Sequence, residues 1–362
     1  MSNRNSLIER AGRWFLDSGI QDASGGVARY YRSDAGENAR ISTEITGYAV
    51  KALLYLHQRT GDPEYLEGAL RAARFLTRIA WNARLGTFPF EYPAHGPSTG
   101  ALAYFFDCGI IVRGLLAAWG ISKEVEFRDT AIAAGRFMAH DFRMGGAIVP
   151  ILALPEKKAL PYEARWSRSP GCYQLKSAMA WYELFEATGE MEFLRFYEGA
   201  VEGALRNEYS FLPGESSAAE TMDRLHAYLY FLEGLLPALD RFGCAQVFRS
   251  GIERVSAYLR EIAPAFARSD VYAQLLRARL YAESLAGVPL DQACAAHEAE
   301  QAAGFQLNCR DKRSDGGFLF GRKSGEPLPF VNPVSTAFCL QALAQWDERR
   351  NNAFEARRHA LI

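Results

Sequence analysis

The sequence lacks an excess of charge of either sign. Its 362 residues include 41 Lys or Arg and 42 Asp or Glu, which leaves a formal net charge of −1. A nearly neutral chain has no overall attraction for nucleic acid or for an anionic lipid surface. We therefore expect no nucleic-acid partner.

The sequence also lacks a long uninterrupted apolar run. The first residues, "MSNRNSLIERAGRWFLDSG", are broken by charges and do not form the apolar core of a signal peptide. We find no run that approaches the roughly 18 apolar residues of a membrane span. These absences predict a cytoplasmic protein without membrane insertion.

Paired cysteines and known cofactor motifs are missing as well. The six cysteines form no C-x-x-C pair, and several lie in apolar stretches such as "AFCLQAL", so we expect reduced thiols in the core. The sequence contains no phosphate-binding loop, dinucleotide fingerprint, nucleophile elbow or H-E-x-x-H helix. The six scattered histidines suggest no metal cluster. We expect neither a cofactor nor a metal.

Helical periodicity is present along the whole chain. Two kinds of helix alternate. One kind is amphipathic and charged, and the other is apolar nearly all round, which is typical of buried helices. The charged helices are predicted at 4–18, 63–80, 124–140, 191–206, 246–262 and 289–303. The apolar helices are predicted at 43–57, 107–119, 173–187, 223–239, 270–285 and 335–347.

Six outer and six inner helices in strict alternation predict an all-α fold, an (α/α)6 barrel. No linker rich in Pro, Gly and Ser divides the chain, so we predict one domain over 1–362. The inner helices share a short repeat of an apolar, a long polar, a small and an apolar residue, as in "VKAL" and "VRGL". Its small residue lets neighbouring helices approach closely. A charge at its long polar position is tolerated when a residue of another inner helix pairs with it.

The connecting segments fall into two classes of length. The links from an outer to an inner helix are long, so they all lie at the end of the barrel where the inner helices begin. Long segments in a compact domain are usually functional or disordered, and the many aromatic residues here argue against disorder. Stretches such as "GGVARYY", "GTFPFEY" and "DGGFLFG" predict short β-hairpins over this mouth.

The first turns of the inner helices carry the candidate catalytic groups. Glu44 follows Ser42 and Thr43, and Asp107 lies in "YFFDCG". Ser, Thr, Asp and Asn at such positions are ordinary helix caps, and an acid suits the positive end of a helix, so capping remains an alternative for each of them. Tyr173, in "CYQLKS", is a further candidate at the start of an inner helix.

A second candidate group lies along one later helix. Asp223, His226, Tyr230 and Glu233 form one helical stripe. A lone histidine is more often a satisfied core residue, but histidine is also the usual proton-transfer group near neutral pH. We therefore keep Asp223 and His226 as candidate catalytic residues.

Aromatic residues and arginines crowd the long segments. The aromatics suit stacking against sugars, and arginine suits bidentate recognition of a carboxylate, so we predict a site for an acidic sugar. A solvated basic rim is the alternative. The candidate substrate-binding residues are Arg40, Tyr31, Glu91, Tyr92, Trp166, Gln174, Arg224, Asp315, Phe330 and Asn332.

In its layout the chain resembles the six-hairpin glycosidase-like superfamily. That resemblance implies hydrolysis, lysis or epimerisation of an oligosaccharide or polysaccharide, in a pathway that makes or processes polysaccharide. It also implies acidic, Tyr or His groups at the mouth, and Glu44, Asp107, Asp223, His226 and Tyr173 match that placement by position. In the hydrolase form, Glu44 and Asp107 are the general acid and base, and Asp223 and His226 assist them. The chain lacks the W-x-R-G-x-G-W segment of unsaturated glucuronyl hydrolases and the H-P-G-H-x-x-E-W segment of acylglucosamine epimerases.

Two alternatives remain. The stretch "SDGGFLFGRKSGEPLPFVNPVSTAFCLQALAQW" resembles the D-G-G-F…S-T-A ending of prenyltransferase and terpene-cyclase repeats, although the D-x-D-D and D-D-x-x-D acids of those enzymes are missing. A noncatalytic glycan-binding or scaffold protein of polysaccharide assembly is the other.

Overall fold

Twelve α-helices alternate along the part of the chain that the computed structural model describes, residues 2–93, 101–213, 217–241 and 243–362. Each predicted helix is present, so the predicted alternation is confirmed. The helices are α1 (Ser2–Asp17), α2 (Thr43–Thr60), α3 (Pro63–Phe75), α4 (Phe105–Ser122), α5 (Val125–Asp141), α6 (Leu175–Thr188), α7 (Met191–Phe211), α8 (Ala218–Leu235), α9 (Cys244–Ile262), α10 (Ser269–Ala286), α11 (Gln292–Ala303) and α12 (Pro333–Arg350).

Short strands occupy the long segments, as predicted. They form antiparallel pairs, and the longest of these joins β5 and β8 over four residues. The strands are β1 (Tyr31–Arg32), β2 (Glu37–Asn38), β3 (Ile41–Ser42), β4 (Glu91–Tyr92), β5 (Ala101–Tyr104), β6 (Arg143–Met144), β7 (Ala147–Ile148), β8 (Ile151–Leu154), β9 (Lys158–Ala159), β10 (Phe266–Arg268), β11 (Gly321–Lys323), β12 (Glu326–Pro327) and β13 (Phe330–Val331).

The chain divides into two compact units, each built from separated segments. We call residues 21–29 and 40–209 the Glu44 unit, and residues 1–20, 30–39 and 210–362 the His226 unit. The prediction of a single domain over 1–362 stays a prediction.

In the Glu44 unit, the inner helix α4 packs against the inner helices α2 and α6. The repeat residues of these three helices meet inside the unit. The Glu183 carboxylate lies 2.8 Å from Nε of Arg113 and 3.8 Å from Nζ of Lys51. The long polar residues of the repeat are therefore buried and paired, as the sequence analysis requires.

The His226 unit repeats this arrangement with α8, α10 and α12. Arg277 is fully buried, and its guanidinium lies 2.5 Å from Oε1 of Glu233 and 2.8 Å from Oε1 of Gln341. The amide of Gln341 donates to the carbonyl of Ala360 at 2.7 Å and accepts from the N–H of Ile362 at 3.1 Å. The helix α1 packs on α12 from the outside.

The helix α4 corrects one expectation. Its 18 residues, Phe105–Ser122, have a mean hydropathy of 1.4, which is long and apolar enough for a membrane span by length and composition. The expectation that no segment approaches such a span is therefore wrong on these two criteria. In this structure 67% of the helix is buried inside the protein, where it packs between α2 and α6.

Two further expectations need correction. The helix α8 begins at Ala218 and not at 223, because Ser217 and Glu220 form a reciprocal capping box that starts the helix earlier. Asp223 therefore lies beyond the first turn. All six cysteines are free, and Cys108, Cys172, Cys244 and Cys339 are buried as expected, but Cys309 is exposed and Cys294 is partly exposed.

Candidate functional site

Two carboxyl groups enter the interior of the Glu44 unit from adjacent inner helices. Glu44 lies in the first turn of α2, which begins after the cap residue Ser42, whose side chain accepts from the N–H of Ile45. Asp107 lies in the first turn of α4. Ser42 is thus a cap, as the capping alternative states, while the carboxyl of Glu44 makes no capping bond in this structure.

The environment of the two carboxyls favours their protonated forms. Burial raises the pKa of Glu44 from 4.5 to about 7, although the charge of Arg29 opposes this shift. Burial and then the charge of Glu44 raise the pKa of Asp107 well above its ordinary value, again against Arg29. Glu44 keeps partial exposure, whereas Asp107 is only 5% exposed. At neutral pH the pair therefore retains a proton, so it offers an acid and a base within electrostatic range of each other.

One oxygen of Asp107 has no protein partner. Its Oδ2 is buried and makes no hydrogen bond within the described part of the chain. A buried polar atom without a partner costs free energy, and such atoms in native proteins often serve a functional role or bind an unseen molecule. This oxygen is therefore a buried hydrogen-bonding group that the described part of the chain does not use.

Glu91 and two arginines lie beside the pair. The strand β4 pairs with β3, so Glu91 faces the start of α2. Its carboxylate lies 3.5 Å from Nη1 of Arg29 and 3.3 Å from Nε of Arg40, and Arg40 also donates to the carbonyl of Pro93. The Arg29 guanidinium lies 5.1 Å from the ring centre of Phe90. These contacts hold Arg29 within electrostatic range of both carboxyls.

Aromatic side chains line the same region. The rings of Phe90 and Tyr104 are 4.7 Å apart, and Trp166 packs edge-on against Tyr173 at 4.9 Å. Burial and the charge of Asp107 raise the pKa of Tyr104, so the phenol and the carboxyl are close enough to interact. Aromatic faces next to polar groups suit stacking on sugar rings.

Tyr173 and Gln174 are held by hydrogen bonds. The Tyr173 hydroxyl donates to the carbonyl of Ser169 at 3.1 Å, and burial raises the pKa of this phenol. The amide of Gln174 donates to the carbonyl of Ile148 at 3.2 Å and accepts from the N–H of Gly171 at 3.2 Å. These bonds fix the wall of the site, and a catalytic role for Tyr173 stays a prediction.

His226 has a polar environment in the other unit. Its Nδ1 lies 2.7 Å from Oε1 of Gln274 and 3.4 Å from Oδ2 of Asp270. Because both neighbours are oxygen acceptors, Nδ1 carries a proton. Burial lowers the pKa of His226 to about 4, against the charge of Asp270, so the ring is neutral at neutral pH. Nε2 is therefore left unprotonated, and the lowered pKa makes it a weaker base than an ordinary imidazole.

Arg268 joins the two acids near His226. It makes a two-point ion pair with Asp270, and its Nη1 lies 2.7 Å from Oδ1 of Asp223. Asp223 is half exposed and bonds to Arg268, and its charge acts weakly on His226 in the direction that raises the pKa of the imidazole. The ring of Tyr230 packs edge-on against His226 at 4.4 Å.

The remaining candidate residues make structural contacts. In the His226 unit, Asp315 pairs with Arg10 at 2.6 Å, and Asn332 caps α12 through the N–H groups of Val334 and Ser335. In the same unit the Tyr31 hydroxyl donates to the carboxylate of Asp311 at 3.4 Å, and the Arg224 guanidinium donates to the carbonyl of Phe211 at 3.1 Å. The ring of Phe330 packs against that of Tyr30, with 5.1 Å between the ring centres. In the Glu44 unit, the rings of Tyr92 and Phe75 pack with 5.4 Å between their centres.

The candidate catalytic and substrate-binding residues did not include four polar residues that shape these sites. They are Arg29, Arg268, Asp270 and Gln274. Asp270 had the same signal as Glu44 and Asp107, an acid in the first turn of an inner helix. Arg29 and Arg268 lie in segments before inner helices and gave no pattern of their own. Within the described residues, no group of three or more His, Cys, Asp or Glu side chains is arranged to hold a metal ion.

The chain is similar to solved structures of carbohydrate enzymes. A sugar epimerase from a ruminal bacterium superposes with a TM-score of 0.74 at 12% identity, over 95% of this chain and 98% of that one. The cellobiose 2-epimerase of Spirochaeta thermophila DSM 6192 gives 0.68 at 18% identity, over 96% and 97%. The unsaturated glucuronyl hydrolase of Bacillus sp. GL1 gives 0.64 at 15% identity, over 96% and 97%. No family model and no curated protein sequence matches the chain.

This likeness establishes the fold. The predicted (α/α)6 barrel is confirmed by neighbours that match almost the whole chain. Because fewer than a fifth of the aligned residues are identical, the similarity of fold does not identify the functional residues of this chain.

Proposed function

We propose that the chain acts on an oligosaccharide or polysaccharide at the Glu44–Asp107 pair, by hydrolysis of a glycosidic bond. The observation that carries this proposal is the pair itself. Two carboxyls on adjacent helices retain a proton, and one of them has a buried oxygen without a protein partner. The names of the neighbouring structures, which include epimerases and a hydrolase of sugars, support a carbohydrate substrate.

The proposed roles follow from the surroundings of each acid. Asp107 is the more buried acid and holds its proton, so it protonates the leaving glycosidic oxygen. Glu44 is partly exposed and has a pKa of about 7, so its ionised form assists the attack of water or attacks the sugar itself. Glycoside hydrolysis requires such a pair of carboxyls on either side of the bond.

We further propose that the substrate carries an acidic group. The charges of Arg168, Arg29 and Arg165 all act on Tyr104, so three guanidinium groups lie within electrostatic range of the aromatic wall. Arg29 and Arg168 are partly balanced by Glu91 and Glu163. A carboxylate on a bound sugar would pair with this cluster.

Epimerisation is the second candidate, because of His226. A neutral imidazole with its Nδ1 proton held by acceptors has an unprotonated Nε2, and removal of a proton next to a carbonyl carbon by this atom requires a bound substrate to raise its pKa from about 4. Lysis would use the same base. The alternative of a prenyltransferase or terpene cyclase requires a site without a pair of neighbouring carboxyls, so the Glu44–Asp107 pair disfavours it. The noncatalytic alternative predicts that replacing the pair leaves binding intact.

Three variants test the proposal. Glu44→Gln and Asp107→Asn each remove one ionisable group while keeping the shape of the side chain. Glu202→Gln, an exposed position on α7, is the control. Each protein is incubated with neutral and uronic-acid oligosaccharides in heavy-oxygen water, and products are analysed by mass spectrometry.

The products separate the candidate reactions. Hydrolysis adds one heavy oxygen from water, elimination gives an unsaturated sugar without added oxygen, and epimerisation leaves the mass unchanged but exchanges a carbon-bound proton in deuterated water. We expect hydrolysis by wild type and Glu202→Gln, with a loss of roughly a hundredfold or more in either pair variant. Full turnover by folded Glu44→Gln and Asp107→Asn would reject the pair as catalytic residues. Turnover without preference for uronic acids would reject only the acidic substrate.

A further inference from the structure

Glycine residues bring α2 and α4 into backbone contact one turn below the carboxyl pair. A Cβ atom placed on Gly47 would lie 3.0 Å from Cα of Ile111, and one on Gly114 would lie 2.7 Å from the carbonyl oxygen of Gly47. Distances this short leave no room for a side chain between the helices. The separation of α2 and α4 is therefore set by the backbones themselves.

The other side of α4 is held in the same manner. A Cβ atom on Gly109 would lie 2.4 Å from the carbonyl oxygen of Ser177 on α6. The Ser177 hydroxyl donates to the carbonyl of Phe106 at 2.6 Å, and Phe106 is the residue before Asp107. The first turn of α4 is thus fixed against α6 by close packing and by a hydrogen bond.

These contacts lie near the two acids along each helix. Gly47 is three positions after Glu44, and Ile111 is four positions after Asp107, so each acid shares a helix face with its contact. The buried Oδ2 of Asp107 has no hydrogen-bond partner among the described residues. Among the described residues nothing donates to that oxygen, and the carboxyl receives a hydrogen bond from the backbone N–H of Asp107 itself, so its place follows the backbone of α4.

We propose that Gly47, Gly114 and Ser177 are positioning residues, which hold α4 against its neighbours so that the Asp107 carboxyl stays beside that of Glu44. The assignment of a role to this pair rests on the proposed function. Gly47 and Gly114 have no proposed contact with the substrate. They act through the distance between the two acids.

The proposal predicts a change in titration when the contact is widened. The charged and titratable groups around the pair include Arg29, Glu91, Tyr104, Cys108 and Tyr173, and none of these five belongs to the contact. Moving α2 away from α4 weakens the repulsion between the two carboxylates and admits water. Both changes favour ionisation, so the upper midpoint of the pair falls.

The experiment measures the carboxyl midpoints by carbon NMR of the protein alone. Gly47→Ala widens the contact between α2 and α4. Gly120→Ala is its control, because a Cβ atom at Gly120, near the far end of α4, meets nothing within 4 Å. Ser177→Ala removes only a hydroxyl and gives a second variant. Its control is Ser250→Ala, which removes a serine hydroxyl that bonds to the carbonyl of Val247 within the same helix α9 and joins no two helices.

We expect the higher titration midpoint of the Glu44–Asp107 pair to fall by roughly 0.5 pH unit in Gly47→Ala and to fall in Ser177→Ala as well. In both control variants this midpoint should equal that of the wild type. Unchanged midpoints in a folded Gly47→Ala overturn the proposal. If Gly47→Ala does not fold, Ser177→Ala decides it by the same criterion. No substrate is needed, so lowered midpoints in a protein without carbohydrate turnover would uphold positioning and reject the proposed function alone.

Discussion

Arg268 holds Asp270 in a two-point ion pair, with Nε 3.0 Å from Oδ1 and Nη2 2.6 Å from Oδ2. The same Oδ2 lies 3.4 Å from Nδ1 of His226. Asp270 is therefore shared between a permanent cation and an imidazole. Because Arg268 already neutralises the carboxylate, His226 gains little from taking up a second proton.

Replacing Arg268 should change the titration of His226. In Arg268→Gln the carboxylate of Asp270 is no longer neutralised, and the repulsion from the guanidinium is gone. Both effects raise the pKa of His226 from about 4 toward its ordinary value of 6.5 or above. Proton NMR of the imidazole measures the midpoint, with Arg224→Gln as the control. An unchanged midpoint in folded Arg268→Gln would show that burial alone keeps the ring neutral.

Glu44 should lower the stability of the fold at alkaline pH. The unfolded carboxyl ionises near 4.5, and the folded one near 7, so between these values only the unfolded chain releases its proton. The stability cost therefore grows as the pH rises from 4.5 to 7 and persists above it. Glu44→Gln should raise the free energy of unfolding by about 1–3 kcal/mol at pH values above 7, and by almost nothing near pH 4. Thermal unfolding at the two pH values tests this, and equal gains at both would contradict it.

The buried pair of Arg277 and Glu233 should be costly to break. Arg277→Met leaves a buried carboxylate without its main partner, and we expect a loss of about 3–5 kcal/mol. Replacing both residues, in Arg277→Met with Glu233→Leu, should recover most of this loss. Arg136→Met breaks an exposed pair with Glu190 and should have little effect. Urea denaturation compares these variants, and a double variant no more stable than Arg277→Met would contradict the argument.

Cysteine labelling should separate one thiol from the others. Cys309 is exposed, whereas Cys108 and Cys339 are buried, and burial raises the pKa of Cys108 to about 12. A disulfide reagent at neutral pH should modify Cys309 rapidly in the native protein and leave Cys108 and Cys339 until the chain unfolds. The rapid phase should vanish in Cys309→Ser. Its persistence in that variant would place the reactive thiol elsewhere.

The helices could be predicted because their pattern is local. Periodicity and caps such as Ser42 are written in short stretches, so the alternation was correct and Glu44 and Asp107 were placed in first turns. The early start of α8 was missed, since the capping box of Ser217 lies before the apolar run from which the helix was inferred.

Pairings between distant residues could not be predicted in the same way. Arg268 contacts Asp223 across 45 positions, and Gln274 contacts His226 across 48. Such contacts depend on the rotation of one helix against another, which periodicity does not specify. Asn332 shows the contrast, because its side chain caps α12 through the nearby N–H groups of Val334 and Ser335, which is the local alternative that the sequence offers for such residues.

The pairing of β1 with β13 has a consequence for how the chain reaches its fold. Tyr31 lies opposite Val331, and Arg10 bonds to Asp315 across 305 positions. Ordering so long an intervening chain is entropically expensive, and folds dominated by such distant contacts form slowly. During synthesis on the ribosome, α1 and β1 are made long before α12 and β13. They therefore lack their packing and strand partners while the intervening helices are synthesised. Assembly of the His226 unit is thus expected to be a late event in biosynthesis.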